Sequence, residues 1–525
     1  MIGETTSVKS RWPAVFEQNW ALWFVAIVAA LLLSFANFPW TLDEYDQAKQ
    51  AFTSFEMVKE GHWLYQDTPN GKVATKPPLV GWISAGIYQV TRSWGIAWRL
   101  PSLVAAFVVS ILLFGAAKRA FGNFAALVAA SAFCLNLLTP RLATLVRTDM
   151  PLALVIFALG LQIWEKIRAR AGWTRRDRLI FFLLLTAAML IKGPIVYAFL
   201  LPGIVVFQWA MRKNPDEARA WPGWWPWIAS LVVFLLWVGG GIFLVPNFYD
   251  EVVVREFAAR FTQTMHRPQP TYFYLLHLLH KFAPWSVLQI ALAVLWFRFS
   301  NVRFRQIFQP ISPVMLWLIC WCAGAIFVMS IVPSKRVDRI FPVIAPLCLL
   351  IAAQIGSSEI EKQFSQRVRR WTAMAIVLGL VITGEYVVAK VMKEWRHRQL
   401  AVFGYNVRHQ AAAENLKYEI LGRRAAGPGK GGHSETEAWR LRRRVSKATN
   451  AASRFKDGVL LLYLDRTHFL SDEEAIKAWN DGTIDSLVAP KAEWPRLSRE
   501  LHGVAAAPRF EAATNHKVGY IFVTH

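Results

Sequence analysis

The chain has 525 residues, 55% of them hydrophobic, with 25 Trp, 35 Phe and a formal net charge of +24. Uncharged runs such as WALWFVAIVAALLLSFANF and WPWIASLVVFLLWVGGGIFLVP are long enough to cross a hydrocarbon core of about 30 Å, where only helices satisfy their own backbone polar groups. A soluble globular protein is excluded, and basic charge set in short loops points to the positive-inside bias and anionic lipid rather than to nucleic acid.

The first apolar run, Trp20–Phe38, follows Lys9 and Arg11 and lacks a small-residue cleavage site, so it reads as a retained span. Next comes TLDEYDQAKQAFTSFEMVKEGHWLYQDTPNGKVATKPPL. Thr41 and Glu44 fit a capping box, Tyr45, Ala48, Phe52, Phe55 and Val58 recur at helical spacing, and Gly61 is a stop. The spacing predicts an amphipathic juxtamembrane helix lying on the bilayer. Capping accounts for Glu44, and the positive end of the helix also favours a carboxylate at Asp43.

Further spans are expected at Leu100–Ala117, Phe124–Leu138, Pro151–Trp164, Leu179–Ile191, Pro194–Met211, Trp227–Val245, Trp285–Phe297, Met315–Val332, Phe341–Ile355 and Trp371–Val391. Leu79–Val90 is apolar but only about 12 residues long, too short to span. Treating it as juxtamembrane puts AKRAFGN, EKIRARAGWTRRDR, MRKNPDEAR, RFSNVRFRQ and KQFSQRVRR all on the cytoplasmic side; counting it as a span would put all five outside. The expected fold is mainly α and polytopic, with about 11 transmembrane helices, an inside N-terminus and an outside C-terminus. After Lys393 come a linker, GPGKGGHSE, and two strand-like runs, GVLLLYL and GYIFVTH, read as a small C-terminal α/β extramembrane domain. The expected division is therefore 1–393, embedded in the membrane, and 394–525, outside. Cys134, Cys320, Cys322 and Cys348 all lie in apolar runs, as buried small hydrophobes do, with neither disulfide nor metal spacing.

The outer segments carry the chemistry. TPRLATLVRTDMPL sets Arg147 and Asp149 just before a span, where an acid is also a common cap. The segment from Tyr249 combines Arg255, Arg260, His266 and Arg267 with a Tyr-Phe-Tyr cluster that fits an interfacial aromatic belt. PSKRVDRIFP holds Lys335, Arg336 and Arg339 on the side that short loops should keep clear of cations, and Lys76 and Lys192 share that side. Cations there suit capture of a phosphate, which guanidinium groups grip in two-pronged fashion.

Taken in order, LDEYDQAKQAFTSFEMVKEGHWL, KPPLVGW, WRLPSLVAA, RTDMPLAL, IKGP, HRPQPTYFY, APWS and PSKRVDRIFPVIAP resemble the bacterial polyprenyl-phosphate sugar transferases. These are the C-type glycosyltransferases that include the lipid A aminoarabinose transferase and protein O-mannosyltransferases. The resemblance covers roughly residues 20 to 390. It implies a periplasmic-face active site in the inner membrane, a polyprenyl-phosphate-linked sugar donor, and a lipid or glycan acceptor that offers a hydroxyl or phosphate. By motif, Asp43 and Asp149 take the catalytic acidic positions and Lys76 faces the donor phosphate. Thr75 stands where the aminoarabinose branch commonly has an acid, which counts against a metal held at that position; the resemblance fixes no cofactor, and a divalent metal is compatible with it. A phosphate leaving group needs fixed positive charge and a base for the acceptor hydroxyl. Asp43 is the candidate base; Lys76, Arg267, Lys335, Arg336 and Arg339 are phosphate-side candidates, with Tyr65, His266 and Tyr274 completing the substrate-binding set. Direct displacement would invert the anomeric centre. A diphosphate-dependent ligase, a protein O-glycosyltransferase and a lipid-sugar flippase are the competing readings, and few acids inside the spans weigh against the last.

Overall fold

The computed structural model describes residues 19–36, 42, 45–69, 71–213, 220–258, 269–299, 311–356, 358–422, 458–504, 508–512 and 519–525. The chain forms two compact units: Met1–Phe38, Thr75–Ser84 and Ile96–Lys390, and Pro39–Ala74, Ala85–Gly95 and Val391–His525.

The first unit is helical. α1 (Asn19–Ala36) falls on the first apolar run, and α2 (Tyr45–Lys59), belonging to the second unit, and α3 (Leu79–Thr91) follow it in the chain. α4 (Trp94–Cys134) is 41 residues long, about 60 Å at 1.5 Å per residue and twice the hydrocarbon core. Gly122, at φ 86, breaks it in the left-handed region where only glycine fits cheaply, and the two expected spans lie on either side of that break. α5 (Thr139–Thr144), α6 (Asp149–Ala169), α7 (Arg175–Lys192), α8 (Ile195–Ala210) and α9 (Trp225–Leu244) continue the bundle. α10 (Phe273–Lys281) and α11 (Trp285–Phe299) meet at a bend of 106°. α12 (Pro313–Ile331), a 3-10 turn (Val337–Val343), α13 (Ile344–Ile355) and α14 (Ser358–His397) complete it. Among the described residues, six helices are long and apolar enough to cross a membrane, or seven if the bent pair is one span.

Small residues let helices approach closely, as is common between membrane helices. A Cβ on Gly324 of α12 would sit 2.7 Å from the Gly203 nitrogen of α8. Elsewhere Ile111, Leu236, Phe243 and Phe327 stay exposed, as lipid-facing side chains should. Two of the basic segments meet where Arg119 pairs with Glu165 at 2.8 Å, and within the second Lys166 pairs with Asp177 at 2.5 Å. All four cysteines are buried and free.

The second unit holds α2, where the expected helix appears with its stop at Gly61, φ 77. It does not offer one face to a bilayer: Gln47, Ser54 and Glu56 are buried along with Ala48, Phe52 and Phe55. Phe55 packs on Trp94 at 5.4 Å, and Trp94 stacks on Tyr88 at 3.8 Å. The helix is a core element, a correction to the surface placement expected from its spacing. The Thr41–Glu44 capping box and the linker lie outside the described residues.

After α15 (Gln399–Ala413), strands β1 (Tyr418–Ile420), β2 (Ser486–Pro490), β3 (Phe510–Ala512) and β4 (Tyr520–Thr524) form a sheet of order β1-β2-β4-β3. β1 runs parallel to β2; β4 is antiparallel to β2 and β3. Trp479 of α16 (Asp472–Asn480) and Leu497 of α17 (Trp494–Glu500) pack on Leu487, Ile521 and Val523. GYIFVTH contains β4 as expected, but GVLLLYL is a correction: residues 458–463 are helical. A short continuous apolar run has no period to separate strand from buried helix.

Candidate active site

The site is built on the turn between α5 and α6. Asn136 ends the preceding helix by accepting from the Leu138 and Thr139 amides at 2.8 and 2.9 Å, and Pro140 starts α5. Arg99 donates to the Thr144 carbonyl at 2.8 Å, Ser102 to that of Leu145 at 2.9 Å, and Lys390 to the Thr144 hydroxyl. The turn is thus fastened before it delivers Arg147 and Asp149.

Asp149 opens α6 without a capping bond from Thr148, and its carboxylate is ion-paired with Lys192 at the end of α7. Both side chains are nearly inaccessible, at 10% and 9%. Arg147 and Lys76 add their positive fields to the same carboxylate. Arg147 also donates to Asp338 at 2.6 Å, and Arg141 lies 3.4 Å from that carboxylate's other oxygen. The loop before α13 carries the rest. Lys335 donates to the Gln269 carbonyl at 3.0 Å, and cover by protein pulls its pKa below the ordinary lysine value. Arg339 donates to Ser334, and buried Tyr274 has its hydroxyl beside the Arg336 backbone and within the field of Arg339.

The structure therefore joins Lys76 and Asp149 in one cluster and Tyr274, Lys335, Arg336 and Arg339 in a second, with Asp338 linking the loop of the second to Arg147 of the first. Half-buried Tyr65 lies in the other unit. Asp43, His266 and Arg267 lie outside the described residues. One carboxylate oxygen of Asp149 is engaged by Lys192. Sequence reasoning placed Arg147 and Lys192 on the reaction side without giving them a role, and it passed over Arg141 and Asp338. Lys192, a lone charge ending an apolar run before Gly-Pro, was the visible signal; Asp338 was masked by the cations around it in sequence. Among the described residues no group of three or more His, Cys, Asp or Glu could hold a metal ion.

A family described as dolichyl-phosphate-mannose-protein mannosyltransferase matches residues 75–239. The undecaprenyl phosphate-alpha-4-amino-4-deoxy-L-arabinose arabinosyl transferase of Pectobacterium atrosepticum is 24% identical over 369 residues, 68% of this chain and 63% of that one. A Sodalis glossinidius transferase of the same description is 26% identical over 316 residues, 59% and 54% of the two chains. The match spans less than two thirds of these relatives' length. In fold, ArnT of Cupriavidus metallidurans bound to undecaprenyl phosphate aligns with TM-score 0.66 at 18% identity, over 96% of this chain and 97% of that one. The archaeal oligosaccharyltransferase AglB of Archaeoglobus fulgidus aligns at 0.51 with 11% identity, over 93% and 72%. In sequence this chain is similar, over part of its length, to undecaprenyl-phosphate-dependent arabinosyl transferases, and it shares the fold of ArnT.

Proposed function

We propose that the chain moves a sugar from a polyprenyl-phosphate carrier to an acceptor hydroxyl or phosphate, in lipid A or another envelope glycan, at the periplasmic face of the inner membrane. The observation that carries this reading is the concentration of buried and half-buried cations around Asp149 and Asp338. Lys76, Arg141, Arg147 and Lys192 bear on two carboxylates, and Lys335 and Arg339 come from the adjoining loop. In a site of low dielectric, such cations stabilise charge that develops on a departing phosphate.

In the proposed reaction the acceptor oxygen bonds to the anomeric carbon as the bond from that carbon to the phosphate oxygen breaks. The electron pair leaves with the polyprenyl phosphate, and the acceptor proton passes to a carboxylate. Asp43 is our candidate for that base. Asp149, engaged by Lys192, keeps cations in place rather than taking the proton. His266, Arg267 and Tyr65 remain proposed substrate contacts. About eleven crossings follow if α4 counts twice at Gly122 and α1, α7, α8 and α11 each cross. With an inside N-terminus, residues 394–525 then lie outside and residues 1–393 form the membrane domain. The family description of a protein mannosyltransferase keeps a protein hydroxyl as the second acceptor reading.

The test is incubation of purified protein in lipid discs with radiolabelled polyprenyl-phosphate sugars and separate lipid, glycan and peptide acceptors. Label passing to a lipid or glycan supports the reading, and label passing to peptide favours the second. Label that never leaves the carrier overturns both.

A further inference from the structure

The C-terminal region has no place in the chemistry so far, yet in the second unit residues 458–467 grip the first loop at both ends of α2. Before the helix, the Leu42 amide donates to the Tyr463 hydroxyl at 2.8 Å, one residue ahead of Asp43 in the chain. After it, Lys59 meets Asp465 at 2.7 Å, and the Thr467 hydroxyl donates to Glu60 at 2.6 Å. On the arm that leads on to Lys76, Pro69 lies so close to Gly458 that a Cβ there would come within 2.6 Å of it.

The gripping segment is itself anchored to the sheet. The Tyr418 hydroxyl at the start of β1 donates to the Leu464 carbonyl at 2.5 Å. Arg466 covers the Tyr418 ring at 4.1 Å and donates to its carbonyl at 2.9 Å. Asp465 ends the 458–463 helix in the left-handed region, φ 57, where the Arg466 amide returns to the Leu461 carbonyl at 3.0 Å. Glycine is the ordinary residue at such a helix end, and a side chain with Cβ is strained there. An aspartate in that position spends backbone comfort to aim a carboxylate at Lys59.

We infer that residues 458–467 are a positioning element for the proposed sugar transfer: Tyr463 and Asp465 fix the lead-in and exit of α2 and so set where the first loop holds its reacting groups. The inference rests on the transferase reading. A mispositioned group costs turnover steeply without touching the donor's phosphate contacts. Loss of one such hydrogen bond should lower turnover about fivefold and leave the donor KM unchanged.

Three variants of the full-length protein in lipid discs test it, read by hydrogen exchange over residues 42–60 and by transfer. Tyr463→Phe removes only the acceptor oxygen. Asp465→Gly removes the clamp while relieving the left-handed backbone, so melting temperature should hold or rise as turnover falls. Lys59→Asp combined with Asp465→Lys should recover what either loses alone. Faster exchange with lower turnover, restored by the swap, is the expected result. Faster exchange with unchanged turnover reduces the segment to a structural tie, and unchanged exchange overturns the clamp itself. A wild-type protein without transfer would sink the transferase reading and the positioning role with it, while the exchange data would still report on the clamp.

Discussion

Two aspartates, Asp149 and Asp177, open consecutive helices, and each pairs with a lysine from the neighbouring one. They serve different ends. Asp177 accepts from the Thr174 amide and hydroxyl at 2.8 and 2.7 Å in a complete capping box, so helix-end chemistry accounts for it. Asp149 receives no cap bond from its neighbour; it binds Lys192 across the bundle and lies in the fields of Arg147 and Lys76. Asp177 and Lys166 keep 22% and 17% of their side-chain surface, against 10% and 9% for Asp149 and Lys192. An acid at a helix start is thus uninformative until its partners are known: one finishes a helix, the other organises cations from three loops.

The largest effect should separate the two. Asp149→Asn leaves Lys192 buried without its counter-charge, a loss of about 3–5 kcal/mol, and should reduce transfer by about two orders of magnitude. Adding Lys192→Met should return most of the stability and none of the transfer. Denaturation in detergent alongside a transfer assay distinguishes these, and recovered transfer in the double variant would make the pair merely structural.

Next in size are the phosphate-side cations. Lys76→Ala and Arg339→Ala should each weaken polyprenyl phosphate binding by about tenfold or more, as expected for charge-assisted bonds. Arg339→Lys should restore part of it, lacking the planar fork. Arg176→Ala, near the capped Asp177, should leave binding unchanged. Equal losses in all these variants would assign the effect to net charge.

Asp177→Asn weakens a cap, at a stability loss of about 1 kcal/mol, and should leave transfer intact. A transfer defect there would erase the contrast with Asp149.

The smallest effect concerns the hairpin at residues 66–74, closed by the Asp67–Val73 bridge. Glu56 accepts from His62 at 2.9 Å and from the Asp67 amide at 2.6 Å. Burial pushes the Glu56 carboxyl up, and the bond to Glu56 pushes exposed His62 up. Folded values above unfolded ones mean that bound protons support the hairpin below the unfolded values. That support is lost as pH rises through the folded values. Corrected hydrogen exchange over residues 62–74 should be slower at pH 6 than at pH 8, and His62→Gln should flatten the difference. A reversed pH trend would contradict the assignment.

Much of the helical plan was legible because apolar runs without charge have one stable solution in a membrane. The Gly122 break fell between two expected spans, and alternating basic loops anticipated that Asp149, Lys192 and Asp338 would share an end. Partners were not legible. Periodicity showed α2 to be a helix but not that protein covers its polar side, since Gln47, Ser54 and Glu56 read as solvent-facing until their neighbours are known. GVLLLYL carried too little pattern to decide its state. Asp338 escaped notice because its role depends on Arg141 and Arg147, nearly two hundred residues away in the chain.

The central claim is that phosphate binds at the Asp149 end of the bundle. A polyprenyl phosphate with a photoreactive group beside its phosphate, cross-linked to the protein in lipid discs and mapped by mass spectrometry, tests it most directly. The account predicts adducts in peptides covering residues 72–80, 139–150 and 333–340, competed away by unlabelled polyprenyl phosphate. Adducts confined to residues 165–178, at the Asp177 end, would contradict it.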